Sequence, residues 1–346
     1  MYSRLNVIPY ALILRICRRF PSRILSFGGG LGDDLLCTSV FREMKKRNFD
    51  KLGMVTRYPE LFSGNDDIDV VLPFRSALLG MARLGWVDVI TPWYTSSDPT
   101  DVYHDRDLPP ADHIIALMCS YSGIEGNVSL RPYWHFQPNE KSFGRFASVQ
   151  IAIQSTCLSK DAKMPLKDWF PERFQEVVDR FRSSVTFVQI GRSADVPLSN
   201  VIDLRGKTSV RETAAILANS KCFVGLVGFL MHLARAVDCR SVIVYGGRET
   251  PLQSGYIANV NIYKKIACSP CWGWNRCDYG KACMDQISAS DVQSGIEQVL
   301  QESLPALPVA ERIISPIGSL ITNDFHIDRF SWAVNRTYDK FPPGSR

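Results

Sequence analysis

The stretch Cys222-Phe-Val-Gly-Leu-Val-Gly-Phe-Leu-Met-His232-Leu-Ala-Arg-Ala-Val-Asp-Cys-Arg-Ser241-Val-Ile-Val-Tyr245-Gly-Gly247 decides the fold. The apolar run 222–225 reads as a strand. Residues 230–237 carry helical spacing, and 241–245 is a second apolar run closing on two glycines. Strand, helix and strand in such quick succession make a parallel unit with a helical crossover.

Working outward, the same alternation continues on both sides. Strands are expected over 147–154, 185–190 and 260–263, and helices over 169–181 and 290–300. Ser209 with Glu212 three residues on forms a capping box that opens another helix. Towards the N-terminus a second set appears: a strand over 23–27, a glycine-rich turn, and a helix to about 46. Strands are expected there over 51–56, 69–72, 87–90 and 113–117. The extended stretch Arg131-Pro-Tyr-Trp-His-Phe-Gln-Pro138 separates the two sets. The expected architecture is α/β, with two doubly wound Rossmann-like domains facing a cleft. They span 22–140 and 147–305, preceded by a basic arm over 1–21. A tail over 306–346 follows and packs back on the first domain.

The chain of 346 residues, 45% apolar and 22% charged, is long enough and apolar enough for two cored domains. Its net charge of +5 is not spread over the body. Arg4, Arg15, Arg18, Arg19 and Arg23 fall in the first 32 residues with no acid among them, and the rest balances at 35 basic and 35 acidic residues. A basic nucleic-acid face on the folded body is therefore excluded. On a helix, Leu5, Leu12, Ile13, Ile16 and Phe20 gather on one side, with most of the arginines opposite. Two readings follow for this arm: docking on an anionic membrane surface, or packing on the body of the protein. No run reaches the ~20 apolar residues of a membrane span. Six scattered cysteines, Cys17, Cys37, Cys119, Cys157, Cys222 and Cys239, fit a reducing, cytoplasmic setting, peripheral to the inner membrane if the arm docks.

Three places hold candidate chemistry. In the turn Phe27-Gly-Gly-Gly-Leu-Gly32-Asp33-Asp34, Gly30 and Gly32 let backbone approach a ligand at a helix start. Asp33 or Asp34 there is either a cap or a general base facing the crevice. A nicotinamide fingerprint would need glycine at 33 and an acid at 57, where Arg57 stands. In the deciding stretch, Gly225, Gly228 and His232 lie where backbone N–H groups and an imidazole can meet a diphosphate; a buried core histidine is the plainer alternative. Arg248 and Thr250, at the end of the next strand, share that sheet edge. Third, Cys268, Cys271, Cys277 and Cys283 crowd together. Their thiolates suit one structural zinc or iron, a reduced knuckle suits them equally, and disulfides are the remaining alternative. The pairs Asp67-Ile-Asp69 and Asp105-Arg-Asp107 are too short to carry a metal-dependent sugar transferase, and the second doubly wound half argues against that single-domain plan. Neither a phosphate-binding loop nor a His-Glu-x-x-His motif occurs.

Taken in order, four stretches resemble glycosyltransferase family 9, the heptosyltransferases of bacterial lipopolysaccharide synthesis and their relatives. They are Leu31-Gly-Asp33 with Thr38, Lys167-Asp-Trp-Phe-Pro-Glu172, Asp203-Leu-Arg-Gly-Lys-Thr-Ser209 followed by Gly225 and Met231-His-Leu-Ala234, and the cysteine cluster. The resemblance covers roughly residues 22–300. It implies a GT-B fold and an inverting transfer of a heptose or hexose-like sugar from a nucleotide-diphosphate donor. The implied acceptor is a glycan or glycolipid: lipopolysaccharide core, O-antigen or capsule. No catalytic metal is implied. By carry-over, Asp33 is the base, Lys167 a diphosphate contact and His232 a neighbour of the donor phosphates. The sequence departs from the family at Val227, Gly228 and Phe229, where an acid, a small hydroxyl residue and glycine are usual. That departure leaves a catalytically inactive nucleotide- or glycan-binding relative as the alternative.

Overall fold

The structure is a computed structural model and describes residues 21–28, 30–73, 88–156, 164–302 and 306–317. The basic arm, Cys17, Cys157 and the end of the tail lie outside the described residues.

The first lobe carries a four-stranded parallel sheet. Its strands are β1 (Arg23–Leu25), β2 (Leu52–Thr56), β3 (Val70–Pro73) and β4 (Asp88–Ile90), in the order β3-β2-β1-β4. The helix α1 (Leu31–Lys46) connects β1 to β2 and buries Leu35, Leu36, Val40, Phe41 and Met44. One expectation fails here. Residues 113–117 are not a strand but open the helix α2 (Ile114–Tyr121). His113 caps that helix, its Nδ1 accepting from the Ile115 amide at 3.2 Å. The helix packs between α1 and the returning chain, so its run of apolar residues is covered on several sides and shows no period that would separate helix from strand.

After β5 (Gly126–Ser129) the chain crosses to the second lobe. There β6 (Gln150–Ile153), β7 (Thr186–Gln189), β8 (Ile202–Asp203), β9 (Cys222–Leu226), β10 (Ser241–Tyr245) and β11 (Val260–Tyr263) form a parallel sheet ordered β11-β10-β9-β6-β7-β8. Its helices are α3 (Pro171–Phe181), α4 (Val210–Ala218), α5 (Phe229–Ala236), the short α6 (Pro251–Ser254) and α7 (Ala282–Asp285), and α8 (Ala289–Gln301). α3 starts two residues later than expected, with Pro171 in its first turn where a missing N–H costs nothing. Trp169, just outside it, is buried and donates from Nε1 to the Ile287 carbonyl at 3.1 Å. Ser209 and Glu212 make the reciprocal capping bonds of α4.

One apolar cluster runs through both lobes, from Leu25, Phe27 and Leu36 to Leu233 and Ile243. A second, with Ile151, Phe174, Val224 and Ile296, fills the other face of the larger sheet. After α8 the chain returns: β12 (Glu311–Ile314) pairs antiparallel with β5, Ile314 opposite Gly126. Arg211 of α4 adds a polar tie, reaching Glu140 and the carbonyls of Glu60 and His135.

Candidate functional site

Both sheets change winding direction beside their first strand. β1 lies between β2 and β4, and β6 between β7 and β9. In open α/β sheets the crevice outside the strand ends at such a point receives the ligand. A cleft of about 640 Å³ opens there, walled by both lobes.

From the first lobe, the chain leaves β1 through Phe27 and turns at Gly28, whose φ of 71° favours glycine. Gly30 caps α1, and Asp33 is the third helical residue. Asp33 Oδ2 accepts from the Gly30 amide at 3.0 Å. Oδ1 accepts from the Tyr94 hydroxyl at 2.8 Å, and Tyr94 follows β4. Loss of water raises the Asp33 pKa, while the Gly30 and Tyr94 hydrogen bonds and the Lys167 charge oppose the rise. The carboxyl is thus both cap and cleft wall. Asp34 is different. It points into the interior, where Thr56 Oγ1 donates to Oδ2 at 2.5 Å, and burial pushes its pKa up to about 7. Asp34 does not line the cleft, so the expectation that placed it on the acceptor-side loop is corrected: α1 turns successive side chains about 100° apart, and only Asp33 faces out.

From the second lobe come the cations. Lys167 ends a 3₁₀ turn over Pro165–Lys167, its ammonium 2.7 Å from Glu249 Oε1. Arg248 and Glu249 follow β10. The Arg248 guanidinium lies 4.6 Å from the Trp272 ring centroid, donates to the Gly273 carbonyl at 2.9 Å and to Glu249 at 3.0 Å. Burial alone would raise the Glu249 pKa, but Lys167 and Arg248 pull it down to about 2. α5 starts at Gly228, whose φ of 152° and ψ of −160° suit glycine. Phe229 and His232 on that helix face the cleft. Burial drives the His232 pKa down to about 3, so the ring is neutral. Its Nδ1 lies 2.6 Å from the Tyr256 hydroxyl, which burial keeps protonated. Tyr256 therefore donates to Nδ1, and the imidazole proton sits on Nε2. The starts of α1 and α5 touch: a methyl at Gly32 would lie 3.6 Å from the Phe229 Cα. Two helix N-termini thus add positive potential to one cleft.

The cleft brings together Gly32, Asp33, Lys167, Gly228, His232 and Arg248. It does not include Gly225 or Thr250. Gly225 is inside β9, where a Cβ would run into the Phe223 ring, and Thr250 caps α6. Tyr94, Tyr256 and Glu249 were not singled out from the sequence. Glu249 stands between Arg248 and Thr250, and Tyr94 follows an expected strand at the same sheet edge, so their positions were the available signal.

The four clustered cysteines line a neighbouring pocket that shares Asp107 and Arg248 with the cleft. They are free thiols, and among the described residues no group of three or more His, Cys, Asp or Glu is placed to hold a metal ion. The expected four-thiolate set is thus not preformed among the described residues. The thiols are near enough to feel one another's charge, Cys283 acting on both Cys268 and Cys271; Cys277 also accepts from the Lys281 amide at 3.4 Å. Burial raises the pKa of Cys268 and Cys271, favouring thiol over thiolate. The acidic pairs are structural too. Asp105 accepts from the Asn275 and Arg276 amides, Trp274 donates to Asp107, and Asp67 pairs with Arg42.

Residues 154–277 match the family model for glycosyltransferase family 9 (heptosyltransferase). This part of the chain is similar to the family 9 glycosyltransferases. Solved structures share the architecture across most of the chain. The family 9 glycosyl transferase from Veillonella parvula DSM 2008 aligns at TM-score 0.58 and 16% identity, covering 81% of this chain and 97% of its own. The ADP-heptose lipopolysaccharide heptosyltransferase II of E. coli aligns at 0.60 and 14%, covering 81% and 98%. The iron-containing dodecameric glycosyltransferase TibC from enterotoxigenic E. coli H10407 aligns at 0.62 and 17%, covering 82% and 77%. TibC is also described in complex with ADP-D-β-D-heptose. No curated protein matches the chain in sequence. The fold is GT-B and heptosyltransferase-like. Among the described residues no helix is long and apolar enough to cross a membrane.

Proposed function

We propose that the two lobes together transfer a heptose or hexose-like sugar, with inversion, from a nucleotide-diphosphate donor to a lipopolysaccharide core, O-antigen or capsule acceptor. One observation carries the reading. A carboxylate from the first lobe, Asp33, and a cationic group from the second, Lys167 with Arg248, face each other across one cleft. The bound ADP-D-β-D-heptose of TibC supports a nucleotide-sugar donor.

In this reading an acceptor hydroxyl lies against Asp33 and attacks the anomeric carbon as the bond to the diphosphate oxygen breaks. Its proton passes to an Asp33 oxygen, and the diphosphate leaves with the bonding pair. Positive charge builds on the sugar ring and negative charge on the leaving group. Lys167, Arg248, the His232 Nε2–H and the start of α5 lie where they meet that negative charge. Asp33 must be ionised to act, so activity rises with pH through its raised pKa. Thiolate chemistry suits zinc or iron and TibC is iron-containing, while the four cysteines here share one pocket without forming a ligand set among the described residues. No step is assigned to a metal.

A second reading, a nucleotide- or glycan-binding relative without turnover, is favoured by Val227 and Phe229, apolar residues at the start of α5. Thermal shift against a panel of nucleotide sugars, followed by turnover with the stabilising donor, separates the two. Stabilisation by a donor, with acceptor-dependent release of nucleoside diphosphate that Asp33→Asn abolishes, supports transfer. Stabilisation without release supports the binding relative.

A further inference from the structure

An anionic ligand on the second-lobe side of the cleft would meet a buried carboxylate. Glu249 is 5% exposed and sits between the two cations that such a ligand needs. A like charge in that position repels a diphosphate unless it does something that the site requires. Lys167 shows what that is. Its ammonium is largely withdrawn from water, and the Arg248 guanidinium shares the same carboxylate oxygen, Glu249 Oε1.

We infer that Glu249 is a positioning residue of the donor seat: its carboxylate, paired at once with Lys167 and Arg248, holds both cations in place before the diphosphate arrives. The inference rests on the donor reading above. Burial and Arg248 both favour loss of the Lys167 proton, while Glu249 and, less strongly, Asp33 retain it. The groups facing this pair are Asp33, Arg248 with its second carboxylate Asp107 at 3.8 Å, Tyr94, Tyr245 and the neutral His232. Glu249 is the carboxylate in direct contact with Lys167, so replacing it by glutamine takes away the main counter-charge. The buried amine then gives up its proton at lower pH. A diphosphate binding to that variant restores the charge only by drawing a proton from solvent. The seat is preformed in one case and assembled at ligand cost in the other.

The test is calorimetric titration of ADP, UDP and GDP into the full chain, wild type, Glu249→Gln and Glu249→Asp, at pH 7.5 and 9.5. Each titration is run in two buffers of different ionisation enthalpy. Wild type is expected to bind one diphosphate and to take up less proton than Glu249→Gln at the higher pH. Glu249→Gln is expected to take up about one proton per ligand at the higher pH and to lose about tenfold in affinity there, the equivalent of one pKa unit. Glu249→Asp keeps the charge, so it is expected to follow wild-type proton behaviour even with weaker binding. This also covers a glutamine variant that fails to fold. An unchanged Glu249→Gln, tighter binding by it, or weaker binding without proton uptake would each overturn the assignment. Wild type that binds none of the three diphosphates would instead overturn the donor reading, and the inference with it.

Discussion

Replacing Asp34 by asparagine separates two adjacent carboxylates by a property that needs no substrate. Asp34 is buried against β2 with Thr56 as its hydrogen-bond donor, and its Oδ1 has no hydrogen-bond partner. Burial raises its pKa from 3.8 to about 7. A raised folded-state value means that the protonated form is the one the fold accommodates. Its stabilisation is complete below the unfolded pKa and is lost as pH rises through about 7. Between pH 5 and pH 8 the linkage amounts to roughly two pKa units, or about 2–3 kcal/mol of stability lost by the native protein. An asparagine side chain cannot ionise, so Asp34→Asn should lose less stability by about that amount over the same interval. Asp168, whose pKa burial also raises to about 7, titrates in both proteins and cancels from the difference. Urea denaturation of wild type and Asp34→Asn at pH 5, 6.5 and 8 reads the slope directly. Parallel slopes would refute the placement of Asp34 as a buried, proton-retaining group. Because the side chain faces away from the cleft, the variant should also keep its nucleotide-sugar turnover.

Asp33→Asn should leave the melting temperature near wild type, since asparagine also accepts from the Gly30 amide, but reduce turnover by ~10²–10⁴-fold, as measured by release of nucleoside diphosphate. Tyr94→Phe removes a hydrogen bond that holds the Asp33 pKa down. The acid limb of the rate profile should therefore move to higher pH by about one unit, and an unmoved limb would remove Tyr94 from the base. Tyr256→Phe frees His232 Nδ1 and should weaken ADP binding several-fold in calorimetry, with little change in kcat for bound donor. Gly228→Ala meets open space but a left-handed backbone, so it should cost about 1–3 kcal/mol in urea denaturation while adding no clash.

The two parallel sheets were legible because their strands are short apolar runs punctuated by glycine, as at Gly191 and Gly246. The Asp33 turn and the His232 and Arg248 positions were legible because strand ends mark the cleft edge, whereas Lys167 was named only through the family resemblance. The helix at 114–121 was not. A run that is apolar at nearly every position has no face, and the deciding contact, His113 capping Ile115, lies in side-chain geometry. Asp34 and Gly225 failed for a related reason. Composition places a residue near a turn, but the helix phase and the Phe223 ring decide which way each one faces. The cysteines show the limit most clearly. Four thiols within sixteen residues share a pocket and feel one another's charge, yet they are not arranged as a metal-ligand set among the described residues.

The pairing of β12 with β5 has a mechanical consequence. The polypeptide passes between the lobes twice, once after β5 and again after α8, and the second passage is anchored by a strand ladder and by the Leu130 amide on the Ala310 carbonyl. A single tether would let one half swivel freely about the other. Two tethers side by side behave like the two pins of a door: they permit rotation about the line joining them and resist twisting across it. Together with the apolar cluster shared by the two lobes, these tethers would favour a swing about that line over a twist. A swing of that kind would carry Asp33 and Lys167 apart and together along one arc.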